Sequence, residues 1–441
     1  MSGPAPLLRK SALPHPCARR GAVYILVMMV AALVAALGVA AVGSARLGLK
    51  SSDATARAGS ARLLALSGLE QARWFIDQTV AIEASGGASW RSSFTSGAWV
   101  SDRTMGEGTF TWRLVDEDGD LEDDPSEAFT IEAIGTIGEN RHLMSVRMTP
   151  GESDEPISAL NAAVTVGGNI RVEDDVWRSG YTMHANGNFT ADNEVVHPRA
   201  TASGNIYGSI FYGGAASNQT ALTMPDPSSV FDFYIAHGTD IPRTSLPTSG
   251  GARAIKDRVL SPSSNPFGST NSLGIYIIDL ENVDKISIED SRIVGTLVLL
   301  NSADGSEVVE TVTWEPAVSN YPALMVKGNF ELRFSSDSTL SEGLTKNYNP
   351  PGTPYRGISD ILPLGSFPSV LCGLVYVSGN LTIENNDCYT EGRFIVGGDL
   401  LVDDDWYHYA LALWRNEPPP GFRTMTGPPV MVPGSFTQQV E

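Results

Sequence analysis

The stretch VYVSGNLTIENNDCYTEGRFIVGGDLLV (375–402) begins and ends on the same nine-residue unit: apolar-x-apolar-x-Gly-Asn/Asp-apolar-x-small or apolar. Alternating residues flank a Gly-Asn or Gly-Asp pair, the pattern of a strand, a corner and a second strand. Four more copies lie upstream: VTVGGNIRV (164–172), MHANGNFTA (183–191), ATASGNIYG (200–208) and LMVKGNFEL (324–332). Successive copies start 19, 17, 124, 51 and 19 residues apart, and 51 is three times 17. A period of this size is short for a helical pair and suits one coil of a parallel β-solenoid. Gly168, Gly187, Gly204, Gly328, Gly379 and Gly398 are expected to supply positive φ at tight corners. Asn169, Asn188, Asn205, Asn329, Asn380 and Asp399 are expected to tolerate left-handed geometry and to bond the local backbone or the next coil. A meander of Gly-Asn hairpins is the competing reading; six copies with apolar residues in register favour coils.

Outward from these copies, the solenoid is expected to fill 155–415. Residues 213–268 are rich in Gly, Ser, Pro and Asn and read as an inserted loop around a short helix at 228–237. GIYIIDL (274–280), KISIED (285–290) and RIVGTLVLL (292–300) read as strands without the full corner. The Pro-rich stretch 416–441 reads as an extended tail.

The front of the chain is different. GAVYILVMMVAALVAALGVAAVG (21–43) has 23 residues without a charge or a Pro. As a helix it spans ~35 Å, enough for a hydrocarbon core of ~30 Å. A signal peptide usually has an apolar core of only ~7–15 residues, although Gly43-Ser44-Ala45 offers a small-residue cleavage site. The length favours a retained single-pass anchor. Residues 1–20 carry Arg9, Lys10, Arg19 and Arg20 and no acid, which puts this leader on the cytoplasmic side and the body outside. Leu47, Ala54, Ala58, Ala61, Leu64, Leu69, Ala72, Ile76 and Val80 then recur at helical spacing, so the helix continues amphipathically over 44–85 until Gly86-Gly87.

A small antiparallel sheet is expected over 86–152. Phe110, Trp112 and Leu114 share one strand face, as do Phe129, Ile131 and Ala133, then Met144, Val146 and Met148. A three-stranded meander needs a partner on its apolar face, and the preceding helix can supply one.

Arg19-Arg20-Gly21-Ala22, the apolar run to Gly43, ALSGLEQARWFI (65–76) and the sheet that follows together resemble type IV pilin-like proteins. More narrowly, they are similar to minor pilins and the pseudopilins of type II secretion. The resemblance covers roughly the first third of the chain. It implies a prepilin peptidase cutting between Gly21 and Ala22, and packing of the apolar helix among other pilin-like subunits. Major pilins carry Glu at the fifth mature position, where this chain has Leu26; that departure points to a minor subunit or a mere membrane anchor. The expected fold is mainly β with a long N-terminal α-helix: a pilin-like helix and small sheet, then a right-handed parallel β-helix. The expected role is structural, in the cytoplasmic membrane.

The 441 residues carry 30 basic and 50 acidic side chains, a net charge of -20, so a nucleic-acid backbone is repelled and no nucleic-acid partner is expected. No HExxH, GxSxG, GxxxxGK or GxGxxG is present, which lowers the hydrolase, NTPase and dehydrogenase readings. No enzyme, catalytic residue or required cofactor is expected. Asp116, Asp118 and Asp120 around Gly119 resemble a calcium loop whose bidentate position would fall on Glu127, while a solvated hairpin tip explains the same charges. Asp174-Asp175, Glu289-Asp290 and Asp403-Asp404-Asp405 suggest an alternative: a membrane-anchored protein binding or cleaving glycan through Asp174 and Asp403. Of the three cysteines, Cys17 lies in the leader. Cys372 and Cys388 are 16 positions apart, about one coil, and fit either a disulfide or two separate buried thiols.

Overall fold

The computed structural model describes residues 19–84, 89–122, 127–191, 194–208, 210–335, 338–343, 345–359, 364–384, 387–425 and 427–440, with backbone alone at 19–22 and 81–84. Cys17 and Gly86-Gly87 lie outside this set. A long N-terminal helix is followed by a mainly β body with parallel pairing. The chain divides into two units, Met1–Thr149 with Pro429–Glu441, and Pro150–Pro428. The second is therefore an insertion within the first.

In the first unit, α1 runs unbroken from Arg19 to Ala84. Its side chains from 23 to 57 are exposed, including Leu26, Leu33 and Leu37. From Ala61 onward one face is buried: Ala61, Leu64, Ala65, Leu69, Ala72, Ile76 and Val80. Leu47 and Ala54, which the helical spacing assigns to that face, are exposed, because the sheet begins to cover the helix only later. The sheet is antiparallel through β1 (Arg103–Met105), β2 (Gly108–Val115), β3 (Phe129–Ile137) and β4 (Asn140–Gly151). Its buried face carries the nine residues that the alternation assigns to it, and all of them but Phe110 form one core with Trp90, Leu121 and α1. Gly135 of β3 marks the closest approach: a Cβ there would collide with the Ala61 carbonyl oxygen and the Ala65 nitrogen of α1.

Within 416–441, whose composition reads as an extended tail, two stretches are strands and are paired. Strands Gly427–Met431 and Thr437–Val440 both join β4, so the chain terminus completes the first unit's sheet. Pro428 and Pro429 are tolerated because Gly427–Met431 lies at the sheet edge.

In the second unit, each pass of the chain contributes a strand to each of three parallel ladders. For the pass at 164–177, Val164–Val166 pairs Thr182–Ala185, Ile170–Val172 pairs Phe189–Ala191, and Val176–Trp177 pairs Val195–Val196. Alternate side chains turn inward into one apolar core running the length of the stack. Outward residues of the first ladder, such as Ile277, Val298, Met325, Tyr376 and Ile395, are also buried, beneath Leu160, Phe231, Tyr234, Trp414 and Phe422.

The order of passes is not the order of sequence. Phe394–Val396 pairs Val164–Val166, Leu400–Val402 pairs Ile170–Val172, and Trp406–Ala410 pairs Val176–Trp177. The first pass thus docks against the last. After Ala215–Ala216 the chain crosses to the opposite end of the stack, restarts at Thr239–Asp240 and builds back. Three expectations change accordingly. Within the stretch read as loop, Thr239–Asp240, Ala252–Lys256 and Val259–Leu260 are ladder strands. The 124-residue gap contains the jump to the far end and the passes that build back from it. The 51-residue spacing is one pass and not three, since Leu324 pairs Val375 directly; residues 335–369 form an insertion containing the hairpin Thr339–Ser341 with Ser366–Pro368.

Candidate functional site

The six corner motifs, split in sequence, form one continuous row at the turn between the first two ladders. The amide of Asn380 donates to Asn329 Oδ1 at 2.8 Å, that of Asp399 to Asn380 Oδ1 at 2.9 Å, and that of Asn169 to Asp399 Oδ1 at 2.6 Å. Asn188 then donates to Asn169 Oδ1, and Asn205 to Asn188 Oδ1, both at 2.9 Å. The only acid of the row, Asp399, sits where the first and last passes meet. It also accepts the Asn169 side-chain amide at 3.1 Å, and its charge strengthens both bonds.

This geometry corrects the reason for the glycines. Of the six, only Gly328 has positive φ, at 136°, and no corner Asn does. At Gly168, Gly187, Gly204, Gly379 and Gly398 a Cβ would instead run into the corner side-chain Oδ1 of the neighbouring pass; at Gly187 it would lie 2.6 Å from Asn169 Oδ1. Glycine is required here by space and not by backbone conformation.

Buried polar groups also brace the junction of first and last passes. The Arg393 guanidinium is buried and donates to the carbonyls of Leu411 at 2.9 Å, Leu160 at 2.8 Å and Ala162 at 2.6 Å. Burial, followed by the Arg415 charge, lowers it to about 10. One rung away, the fully buried His408 shares a hydrogen bond with Thr390 Oγ1 through Nδ1 at 2.9 Å, and Trp406 Nε1 donates to the same hydroxyl. Burial, with the Arg393 charge second, pushes His408 down to about 3. No sequence motif marks Arg393 or His408; only strand alternation, which turns residue 408 inward beside Trp406, could have found the latter.

The outer side of the third ladder carries the most chemically distinctive face. Tyr407, Trp177, His197 and Tyr212 stack on successive passes, with ring centroids 5.9, 4.9 and 4.9 Å apart. Tyr389 and Tyr409, on the same strands' outer side, have ring centroids 5.3 Å apart, and Arg178 sits 4.7 Å over the Tyr409 ring. Asp174, Asp175 and Glu194 bring carboxylate oxygens within 4.8 Å of one another at the adjoining corner. Asp405 Oδ1 accepts Trp177 Nε1 at 2.8 Å and ties the acids to the rings. Desolvation and then Asp175, Asp174 and Asp405 raise Glu194; desolvation likewise raises Asp405, with the Trp177 bond opposing it. Asp174 is thus in the cluster, whereas Asp403 is exposed and outside it. Glu289 and Asp290 are engaged elsewhere, by Lys256 and by Thr311 Oγ1 respectively.

Cys372 and Cys388 are both free thiols, the first half-buried and the second buried. The register sets Cys372 against Glu391, and Cys388 against Trp406, so a 16-residue spacing does not stack them and the disulfide reading is corrected. In the first unit, the carboxylate group is Asp116, Asp118 and Glu127. Asp120 instead holds the turn, its Oδ1 accepting the Glu122 amide at 3.0 Å. The Gly21–Ala22 bond lies near the start of α1.

No protein-family model matches this chain. No curated protein matches it either. Among solved structures, it is similar to the competence-associated pilin ComZ from Thermus thermophilus at 11% identity, covering 88% of this chain and 98% of that one, with a TM-score of 0.28. An ice binding protein from an Antarctic biological consortium shares 12% identity over 60% of this chain and 97% of its own, with a TM-score of 0.22. At these scores neither likeness carries a functional argument.

Proposed function

We propose that this chain is a structural, single-pass protein of the cytoplasmic membrane, a minor subunit of a type IV pilus-like or pseudopilus assembly that displays a right-handed β-solenoid outside the cytoplasm. One observation carries the reading: a single unbroken helix changes role along its length. Its first half is apolar and bare on every side, which water does not favour and a bilayer or neighbouring apolar helices do. Its second half buries one stripe on an antiparallel sheet. Processing between Gly21 and Ala22, and helix packing with other pilin-like subunits, belong to the same reading. The three ladders and the corner row support the solenoid. The proposed role involves no catalysis. Carbonate extraction of cell membranes tests it: the full chain is expected to stay in the pellet and its body to be digested by protease added from outside the cytoplasmic membrane. Release by carbonate, or a body shielded until cells are lysed, contradicts it.

The aromatic and carboxylate face favours a second reading, a membrane-anchored glycan-binding protein. Rings and acids on one side of a stack can meet the apolar faces and hydroxyls of a sugar polymer. Retention on polysaccharide that is lost in Trp177→Ala and Asp174→Asn would favour it over purely structural display.

A further inference from the structure

We propose that the cleft between the third ladder and the 335–369 insertion is a sugar-binding site, and that it takes a neutral sugar unit of a glycan. This rests on the glycan-binding reading above and adds a place and a ligand class to it. The cleft has a volume of about 490 Å³, within the ~300–1,000 Å³ usual for small-ligand sites. Strand alternation builds its floor. Trp314, Leu371 and Thr390 turn inward and are buried, so Glu315, Cys372 and Glu391, each the next residue along, face out on three neighbouring strands.

The opposite wall is built on a buried charge. Arg292 donates to the carbonyls of Tyr348 at 2.9 Å, Thr353 at 2.8 Å and Pro354 at 3.1 Å, which fixes the insertion against the stack. Tyr355 follows at once, its ring 5.3 Å from that guanidinium and 5.0 Å from the Phe367 ring. The backbones of Tyr355 and Ile358 bond each other in both directions at 3.0 Å and close a two-residue turn with Arg356 and Gly357 at its tip. Arg356 has φ 50°, a left-handed geometry that a long side chain adopts at a cost and that Asn or Gly would take more easily. No described residue hydrogen-bonds or ion-pairs its guanidinium, which lies 5.2 Å over the Tyr355 ring. A strained turn thus presents a cation at the cleft, as binding sites do and a mere connection does not require.

The lining therefore joins two acceptors, Glu315 and Glu391, to one donor, Arg356, and two tyrosines, Tyr355 and Tyr389. Tyr389 Oη donates to Glu391 Oε1 at 3.0 Å, and Arg292 Nη2 lies 3.6 Å from Glu315 Oε1, so both carboxylates are held in place. A sugar hydroxyl both gives and receives a hydrogen bond and satisfies carboxylate and guanidinium together, while tyrosine rings shield its C–H groups from water. A carboxylated sugar would meet like charge at Glu315 and Glu391 and is disfavoured. Burial, then the Glu391 and Glu315 charges, raise the Cys372 thiol to about 11, which leaves it uncharged at neutral pH.

The test is calorimetric titration of the full chain, in a detergent without a sugar headgroup, with cellohexaose, maltohexaose and chitohexaose as neutral probes and hexagalacturonate as the acidic one. At least one neutral probe is expected to bind at roughly 10 μM to 1 mM, and hexagalacturonate at least about tenfold more weakly. Glu391→Gln and Arg356→Gly are each expected to weaken binding about tenfold or more, the loss that follows removal of a charged hydrogen bond. Glycine suits the backbone at 356, so the melting temperature of Arg356→Gly is expected not to fall, and a folding defect cannot account for its loss of binding. Binding that is lost in Trp177→Ala but intact in both cleft variants overturns the proposal and leaves the glycan reading standing. Absence of binding by every neutral probe at about 10 mM overturns both. Tighter binding of hexagalacturonate than of any neutral probe overturns the proposal alone.

Discussion

The two units solve the same problem, covering the apolar faces of β-strands, at opposite ranges of sequence. In the first, β2, β3 and β4 are consecutive and pair as a meander, and the cover is the helix just before them. In the second, the decisive pairing joins residues 230 positions apart, where the Asn169 amide meets Asp399 Oδ1. Local contacts are entropically cheap to form, while the long closure must be held by specific interactions once made. The second unit places three such groups at that junction: a buried guanidinium, a buried imidazole and the charged corner of the row. Both units also depend on glycine where backbones approach closely, Gly135 beneath a helix and the corner glycines beneath a row of side-chain oxygens.

The largest expected effect separates the units by pH. An unfolded imidazole takes up its proton near 6.5, whereas His408 in the folded protein does so only at about 3. Across that window the unfolded state binds more protons, so stability falls as the pH drops, by roughly 3–5 kcal/mol in all. Denaturant unfolding at pH 3.5 and pH 7 is expected to show this loss in the wild type and a much smaller one in His408→Gln, with the effect confined to probes in the second unit. An equal pH dependence in both proteins would remove the imidazole from the junction's energetics.

Gly135→Ala comes next, from the first unit. Its new methyl meets helix backbone, which cannot swing aside as a side chain can, so a cost of about 2–4 kcal/mol is expected. Near-ultraviolet signals from Trp90 and Trp112 would report it. A neutral result would mean that α1 does not lie against β3 as described.

The smallest effects come from a single corner. Gly187→Ala is expected to cost about 1–3 kcal/mol, because the added methyl displaces the Asn169 oxygen. Asn188→Ala removes one acceptor from an exposed amide that water can satisfy, so about 0.5–1.5 kcal/mol is expected. Thermal melts of both variants rank them; Asn188→Ala proving the worse would give the row more weight than the close packing beneath it.

Much of this architecture was legible in the sequence because it depends on neighbours along the chain. The apolar run, the helical stripe from Ala61 and the alternation in β2, β3 and β4 are all local signals. The corner motif also showed where strands turn. What stacks on what was not legible, since the partner of each Asn oxygen is chosen by the fold. The equality of 51 and three times 17 was therefore misleading, and the insertion at 335–369 accounts for it. The return of 427–440 to the first unit's sheet was hidden by the Pro-rich composition of 416–441, since an edge position accommodates Pro428 and Pro429. Of the candidate sites, Asp174 and Asp116 were visible as members of acidic runs. Glu127 was named with Asp116 from the sequence, whereas Glu194 joins Asp174 and Asp175 only through the fold.

The proposed role rests on α1 beginning as a processed membrane helix, and N-terminal sequencing of the protein from its native membrane tests that most directly. A mature chain starting at Ala22 is the predicted result; a start at Met1, or at Arg46 after loss of the apolar segment, would contradict it.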